Sequence, residues 1–267
     1  MKRVWNVYRA QFRTWAAVQL QYRVALVIWL IGMVLEPVVY LVVWTTVARS
    51  GGGQVGSYRT SDFAAYFIVL MLVNHATFTW IIYGIEMRVR QGTLSPLLLR
   101  PIHPIHADLA ENLTYKTLTL SVMLPAAVVL ALVFHPSLHP APWAVAAFPA
   151  VLVLAIALRF VVEWTVSLVG FWTTRMGAID QMYYVSVLFL SGQVAPLALF
   201  PPQIRTLATL LPFRWMVAFP VELLLGRLEP REVLTGCLMQ LGWLALALVL
   251  LAGAWRIGVR RYSAVGS

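Results

Sequence analysis

VALVIWLIGMVLEPVVYLVVWTTVA, residues 24–48, is the stretch that decides the fold of this protein. It contains a single charged residue, Glu36, within 25 positions. A helix that crosses about 30 Å of hydrocarbon needs about 20 predominantly apolar residues, so this stretch is long enough to span a membrane. It is also roughly twice the length of the apolar core of a signal peptide, which predicts a span that is retained rather than cleaved.

Five further stretches approach the same length and composition. They are Phe63–Ile85, Thr117–Phe134, Trp143–Trp172, Met182–Phe200 and Val233–Trp255. Pro125 interrupts the third span of the chain, and the fourth is long enough that we expect it to be steeply tilted or broken near its middle. The pattern therefore predicts an all-α polytopic membrane protein of about six transmembrane helices, with residues 1–267 forming a single transmembrane domain.

Composition supports the same conclusion. The chain is 61% hydrophobic and 11% charged, whereas soluble domains average about 45–50% and about 25%. A chain of this length cannot bury such an excess in its own core, so it needs the bilayer as a second apolar solvent. The net charge of +10 is scattered between apolar runs and forms no continuous basic face, which argues against a nucleic-acid partner. The single cysteine, Cys237, excludes an intramolecular disulfide.

Residues 1–22 differ in character from the rest of the chain. On a helical wheel one face holds Trp5, Tyr8, Phe12 and Trp15, and a second face about 110° away holds Lys2, Asn6, Arg9 and Arg13. This arrangement is typical of a helix that lies in the membrane interface, with its aromatic side chains towards lipid and its cations towards water. The alternative is a polar beginning of the first span, because aromatic belts also form near span ends.

The distribution of cations predicts the topology. An even number of spans places both termini on one side. If that side is cytoplasmic, thirteen Lys and Arg residues, including Lys116, fall in inner segments and six fall in outer segments. Positively charged loops stay in the cytoplasm, so we expect both termini to face the cytoplasm of a bacterial cell and the chain to lie in the cytoplasmic membrane.

Residues 201–232 lie between the fifth and sixth predicted spans. The segment is too apolar for an ordinary loop, but Pro212, Arg214, Pro220 and Glu222 argue against a full crossing. Two short helices that dip into the outer leaflet fit this composition better, since irregular backbone is tolerated there when protein covers it.

Several kinds of catalytic and metal site are not indicated. The only lysines are Lys2 and Lys116, and neither follows a glycine-rich phosphate loop. His103 and His106 are closely spaced, but no third ligand stands near them, which argues against a zinc site. We therefore expect no catalytic residue, no metal and no cofactor on this chain.

The cytoplasmic loop after the second span, residues 86–108, carries the most information about function. It begins EMRVRQGTLSPLLLRPIHP, residues 86–104, with a charged stem, a glycine break, a short leucine-rich helix and an Arg-Pro end. Leu94, Leu97 and Leu98 share one face at helical spacing, which forms an apolar edge that fits a groove on a partner protein. An ordinary connector whose leucines insert into lipid explains the spacing equally well.

At this point the sequence resembles the membrane subunit of a type-two ATP-binding-cassette transporter, of the bacterial branch whose permeases have six spans. The resemblance covers nearly the whole chain. It is carried by the amphipathic N-terminus, the loop from Glu86 to Pro101, the turn Ser191–Pro196, and Leu211-Pro212-Phe213 with Gly226 before the last span.

The resemblance implies a division of labour between subunits. A separate cytoplasmic ATPase would hold ATP and Mg²⁺, two permease subunits, identical or paralogous, would pair in the membrane, and an outer re-entrant hairpin would cap the substrate path. In this chain the coupling of permease to ATPase would fall to Glu86, Arg88, Gly92, Leu94, Leu97, Leu98, Arg100 and Pro101. The outer cap would include Gly192, Pro196, Pro212, Phe213 and Gly226.

Charged residues inside the predicted spans are not explained by the resemblance. Glu36 lies in the first span, and Arg159 and Glu163 lie in the fourth. An ionisable residue at membrane depth is costly and commonly functional. Arg159 and Glu163 are four residues apart, so they share a helix face and either neutralise one another or line a polar path for a substrate.

These features favour a subunit of an ATP-driven exporter that moves a hydrophobic or amphipathic compound, such as a lipid, a drug or a lipid-linked glycan, by alternating access. Two other classes stay open, a membrane-embedded enzyme that modifies lipids and a membrane scaffold without transport. The enzyme would require convergent His, Asp or Ser groups at one depth, and the sequence offers only scattered candidates.

Overall fold

The computed structural model describes residues 2–173 and 175–262, and the side chains among them except those of residues 2–7 and 23. The helices, in chain order, are α1 (Lys2–Gln21), α2 (Arg23–Ser50), α3 (Thr60–Thr77), α4 (Gly84–Arg90), α5 (Ser95–Leu98), α6 (Ile105–Phe134), α7 (Pro142–Ser167), α8 (Gly177–Leu190), α9 (Pro202–Leu210), α10 (Phe213–Met216), α11 (Ala218–Leu224) and α12 (Pro230–Arg261). Short 3₁₀ turns cover Leu168–Phe171 and Leu197–Leu199. The predicted all-α fold is thus confirmed, with one small exception between α2 and α3.

That exception is a two-stranded antiparallel hairpin, β1 (Gln54–Val55) and β2 (Tyr58–Arg59). Arg227 clamps the hairpin, with its guanidinium 3.6 Å from the ring centroid of Tyr58 and an Nη2 to Oδ2 distance of 3.2 Å to Asp62. Burial raises the pKa of Tyr58 to about 12, although the neighbouring Arg227 opposes the shift. The segment between α2 and α3 is therefore a packed element of the fold.

Four helices of the described chain are long and apolar enough to cross a membrane. They occupy Val24–Ser50, Ile105–Phe134, Pro142–Phe171 and Pro230–Arg261, the third including its 3₁₀ turn. The helix of the third predicted span, α6, begins at Ile105, before the apolar run that starts at Thr117, and it continues through Pro125. α7 also continues through Pro149, so the fourth span is not broken at its middle.

The other two predicted spans take a different form. The second, Phe63–Ile85, is divided, because α3 ends at Thr77 and α4 begins at Gly84. The fifth, Met182–Phe200, is shifted, because α8 begins at Gly177 and ends after 14 residues at Leu190. Six crossings stay a prediction, in which these two helices would supply the second and fifth.

Two details bear on the predicted topology. Lys116, which the cation count placed in an inner loop, is buried within α6. Without it, twelve cations fall in the predicted inner segments and six in the outer segments, so the count still favours cytoplasmic termini. α1 is a separate helix that turns into α2 at Tyr22 and packs against α6, where the Tyr8 hydroxyl lies 2.7 Å from Nδ1 of His106. The predicted contributions of Lys2, Trp5 and Asn6 lie outside the described side chains.

The largest buried core lies where α3, α7 and α11 meet. Its centre includes Phe63, Phe67, Leu158 and Phe219, each 1% exposed or less. α12 packs along α7, and α2 packs along α3. This packing holds the end of α3 against the C-terminal half of α7, and a cluster of polar residues lies there.

Candidate functional site: a polar cavity and a cytoplasmic loop

Arg159 and Glu163 form an ion pair in the interior of the helical domain. They lie one turn apart on α7, the Arg159 Nε donates a hydrogen bond to Glu163 Oε1 at 3.0 Å, and both side chains are buried. A buried charge of this kind needs a partner because its hydration has been lost. The pairing predicted from the spacing is present.

The end of α3 supplies the remaining partners of Arg159. Its Nη1 donates to Asn74 Oδ1 at 2.8 Å and to Thr77 Oγ1 at 3.1 Å. Glu163 accepts hydrogen bonds from the hydroxyl of Thr79, in the break after α3, and from Tyr183 on α8 at 3.2 Å. Two regions that are distant in sequence from α7, the end of α3 with the break after it and α8, therefore satisfy one ion pair.

The turn after α8 completes this polar cluster. Gln193 Nε2 donates to Asn74 Oδ1 at 3.2 Å. The backbone carbonyls of Gly192 and Val194 accept hydrogen bonds from Tyr66 at 2.7 Å and from Trp44 at 2.8 Å. Nonhelical backbone is tolerated at membrane depth only where protein or water satisfies it, and these two side chains do so.

A cavity of about 130 Å³ adjoins the cluster, and its lining includes Glu36, Arg159 and Glu163. The structure thus brings together the three charged residues that the sequence placed inside spans. Glu36 reaches the cavity from α2, and it is exposed on the surface of the single chain. A charge at this depth normally faces a bundle interior or a water-filled path rather than lipid.

Several residues of this site were not predicted from the sequence. Asn74, Thr79, Tyr83, Asp180, Tyr183 and Gln193 also line the cavity. Tyr83 donates a hydrogen bond to Asp180 at 2.9 Å and so joins the break after α3 to α8. The polar pair Asn74-His75 within an apolar run was a visible signal in the second predicted span, whereas the partners from α8 gave none.

The predicted cytoplasmic loop is anchored through Glu86, which is buried in α4. Its carboxylate accepts from Arg90 at 3.1 Å and from the backbone N–H of Met176, the residue before α8, at 3.1 Å. Gly170 packs against the same turn of α4, since a Cβ on Gly170 would lie 2.8 Å from the backbone nitrogen of Glu86. α4 is therefore fixed both to the 3₁₀ turn Leu168–Phe171 and to the beginning of α8.

A second anchor joins α4 to α6 and α7. Arg88 makes a two-pronged ion pair with Asp108, which also accepts a hydrogen bond from Trp164 Nε1 at 2.9 Å. His103 lies between Trp164 and Trp255, with ring centroids 5.4 and 4.4 Å away. Burial lowers the pKa of His103, and His106 lowers it further against an opposing effect of Asp108.

The predicted contact edge of the loop needs one correction. Leu94 is 0% exposed, whereas Leu99 is 87% exposed. Gly92 adopts a φ of 69°, and the chain then folds back so that the Leu94 N–H donates to the carbonyl of Arg88. Leu94 therefore packs inside the chain. Leu97 and Leu98 are half-buried, and Leu99 is the most exposed leucine of the loop.

The exposed end of the loop also contacts the last helix. Ser95 Oγ lies 2.8 Å from the hydroxyl of Tyr262, which directly follows α12. Arg100 and Pro101 are exposed beyond α5. The predicted coupling residues thus divide into an anchored group, Glu86, Arg88 and Leu94, and a more accessible group, in which Leu97 and Leu98 are half-buried and Arg100 and Pro101 are exposed.

The predicted outer cap, for which two short helices were expected in residues 201–232, contains three short helices, α9, α10 and α11. Pro212 precedes α10, and the ring of Phe213 lies 5.9 Å from that of Tyr183. Gly192 and Gly226 occupy turns with φ values of 83° and 68°, and Pro196 precedes the 3₁₀ turn. α10 and α11 belong to the main core, while their depth in the membrane stays a prediction.

Comparison with known proteins yields one family. The family model described as "ABC-2 family transporter protein" matches residues 34–266. No curated protein matches the chain.

Proposed function

The chain belongs to the ABC-2 family of transporter proteins and is a multi-pass membrane subunit, and from this premise we propose that it is the permease of an ATP-driven exporter. Its substrate is a hydrophobic or amphipathic compound, such as a lipid, a drug or a lipid-linked glycan. The permease lies in the cytoplasmic membrane of a bacterium with both termini in the cytoplasm.

The proposed complex contains other subunits. A cytoplasmic ATP-binding-cassette ATPase holds ATP and Mg²⁺, and it docks on the exposed part of the loop around Leu97, Leu98, Leu99 and Arg100. A planar guanidinium such as that of Arg100 suits a carboxylate on the partner. A second permease subunit, identical or paralogous, pairs with this chain among the membrane lipids. The complex has no nucleic-acid partner.

One observation carries this proposal: the cytoplasmic loop is bonded directly to the walls of the polar cavity. Glu86 of α4 accepts the hydrogen bond of Met176 at the beginning of α8. Tyr83, directly before α4, bonds to Asp180 in the first turn of α8. A displacement of the loop would therefore move α4 and α8 together.

This connection supports an alternating-access mechanism. The joining of two ATPases upon ATP binding would displace the exposed part of the loop, and the Leu94 N–H bond to Arg88 would carry the movement to α4. α8 would follow as a rigid body and expose the cavity to the outside. A few buried side chains supply most of the binding energy of a protein–protein interface. We therefore expect the leucines to contribute more to ATPase binding than the rest of the loop surface.

Reconstitution tests the proposal. The tagged permease is purified from its native host, co-purifying chains are identified, and the assembled complex is placed in liposomes with fluorescent amphiphiles. ATP-dependent movement of an amphiphile, abolished when the catalytic site of the ATPase is inactivated, is expected. Conversion of a lipid without an ATPase would favour the enzyme, and neither movement nor conversion would favour the scaffold.

A further inference from the structure

The cavity beside Arg159 has walls rich in aromatic rings. Phe78, Trp80, Tyr83, Tyr183 and Tyr184 all line it. Phe78 and Trp80 have ring centroids 6.3 Å apart, and Trp80 and Tyr83 lie 6.5 Å apart, so three of the rings form a continuous wall. Aromatic faces attract cations through the negative potential above the ring.

One cation in the cavity already uses this wall. The guanidinium of Arg159 lies 5.5 Å from the centroid of the Phe78 ring. Its charge is balanced by Glu163, and its Nη1 donates to Asn74 and Thr77. Arg159 thus belongs to the wall and leaves the other carboxylates of the cavity uncompensated.

The charges of the lining do not balance. The lining contains three carboxylates, those of Glu36, Glu163 and Asp180, and one guanidinium. Among the described residues, neither Glu36 nor Asp180 forms an ion pair within 4.0 Å. The hydroxyl of Tyr83 bonds to Asp180 but adds no positive charge. A cation that enters the cavity would stabilise this unbalanced negative charge, because the apolar lining screens charges less than water does.

From this arrangement we infer that the cavity binds the cationic headgroup of the transported compound, an organic ammonium group with an apolar remainder. The inference rests on the proposed function and narrows its substrate class. The volume of about 130 Å³ is smaller than the roughly 300–1,000 Å³ typical of sites for drug-sized ligands. The cavity therefore receives a headgroup, and the apolar remainder lies beyond the rim that Trp80, 67% exposed, forms.

Two features of the site discriminate against other headgroups. A phosphate or carboxylate would meet Glu36 and Asp180 as like charges, which disfavours its entry. An uncharged group of the same shape would gain the apolar contacts but not the attraction to the rings and the carboxylates. The charge of the ligand, rather than its shape, should therefore decide binding.

The test compares choline with 3,3-dimethylbutan-1-ol, which has the same shape without the charge. Binding to the purified permease in nanodiscs of neutral lipid is measured by ligand-observed NMR. We expect choline to bind with a Kd about tenfold or more below that of the alcohol, since a tenfold change corresponds to about 1.4 kcal/mol. The double variant Glu36→Gln/Asp180→Asn should remove this preference.

Two controls keep the result interpretable. Glu229→Gln changes an exposed carboxylate before α12 and should bind choline like the wild type. Thermal unfolding of each variant identifies a loss of folding, in which case Asp180→Asn alone replaces the double variant and should weaken choline binding. Equal binding of both probes, no choline binding, or an unchanged preference in a folded variant would overturn the inference.

Reconstituted transport separates this inference from the proposed function. If the complex exports only anionic or uncharged amphiphiles upon ATP hydrolysis and choline fails to bind, the exporter assignment stands and the cationic headgroup is refuted. If choline binds through the carboxylates but ATP drives no movement of any amphiphile, the binding site is supported and the exporter assignment fails.

Discussion

Arg159 and Glu163 are joined by a 3.0 Å hydrogen bond between Nε and Oε1, at a place where their residues are 4% and 2% exposed. The ion pair is surrounded by hydrogen-bond partners from α3, α8 and the break that follows α3. It therefore acts as a junction between the helices that form the cavity.

We expect the contributions of Arg159 and Glu163 to the free energy of unfolding to be strongly coupled. Arg159→Leu or Glu163→Leu alone leaves a buried charge without its partner and should cost about 3–5 kcal/mol, whereas the double variant should lose clearly less than the sum. SDS-induced unfolding of the purified permease measures these free energies. The half-exposed pair Arg227–Asp62 serves as the comparison and should contribute about 1 kcal/mol or less. Additive losses for Arg159 and Glu163 would contradict the coupling.

Substitutions of the loop leucines should distinguish residues that stabilise the fold from residues that bind the ATPase. Leu94→Ala should cost about 2–5 kcal/mol because its side chain is buried, whereas Leu99→Ala should change stability by less than about 0.5 kcal/mol. Leu98→Asp with Leu99→Asp should release the ATPase from a permease that remains folded and inserted. Co-purification of the ATPase, measured beside permease abundance, checks this. Retention of both the ATPase and coupled transport would show that docking occurs elsewhere.

Gly170 should be intolerant of any side chain. Gly170→Ala would bring a Cβ within 2.8 Å of the Glu86 backbone nitrogen and force α4 away from the 3₁₀ turn, at a cost of about 1–3 kcal/mol. ATP-driven transport should fall with it, because the loop would lose its anchor. Gly253→Ala is the matched control, since its Cβ would meet no atom within 4 Å, and alanine favours the helix. Equal stability of the two variants would argue against the close contact.

The protein should lose stability in acid because of His103, which lies in the predicted cytoplasmic loop. His103 has a lowered pKa in the folded protein, so the unfolded chain takes up the proton first as the pH decreases through about 6.5. Folding is then penalised, and stability is lost below that pH. The decrease in Tm between pH 8 and pH 5.5 should be smaller for His103→Gln than for the wild type. His139→Gln, at an exposed outer position, should leave the decrease unchanged. The same decrease in Tm in all three proteins would show that His103 does not cause the loss of stability in acid.

The predicted orientation can be tested with thiol labelling. Cys237→Ser removes the native thiol, and Ser50→Cys and Thr93→Cys then introduce exposed thiols at the end of α2 and in the predicted cytoplasmic loop. An impermeant reagent should label position 50 in intact cells and miss position 93 until the membrane is opened. The opposite pattern would invert the topology.

The sequence by itself determined the class of fold and the local pairings. Apolar length predicted the four helices that are long enough to cross a membrane, because hydrocarbon admits only backbone whose hydrogen bonds are satisfied within the chain. The four-residue spacing fixed the ion pair of Arg159 and Glu163, since helix periodicity alone places them on one face. The family resemblance was likewise visible in the order of short motifs, and the family match confirms it.

Only the tertiary structure decided where the helices end inside the domain and which side chains meet there. Asn74 and Gln193 are 119 residues apart, and Tyr66 satisfies a carbonyl 126 residues away. Composition carries no signal for such pairs. Leu94 points inward although its spacing placed it on the outer edge, because the positive φ of Gly92 reverses the chain before α5. Helical periodicity describes the faces of one helix, but the packing of several helices decides which face remains accessible.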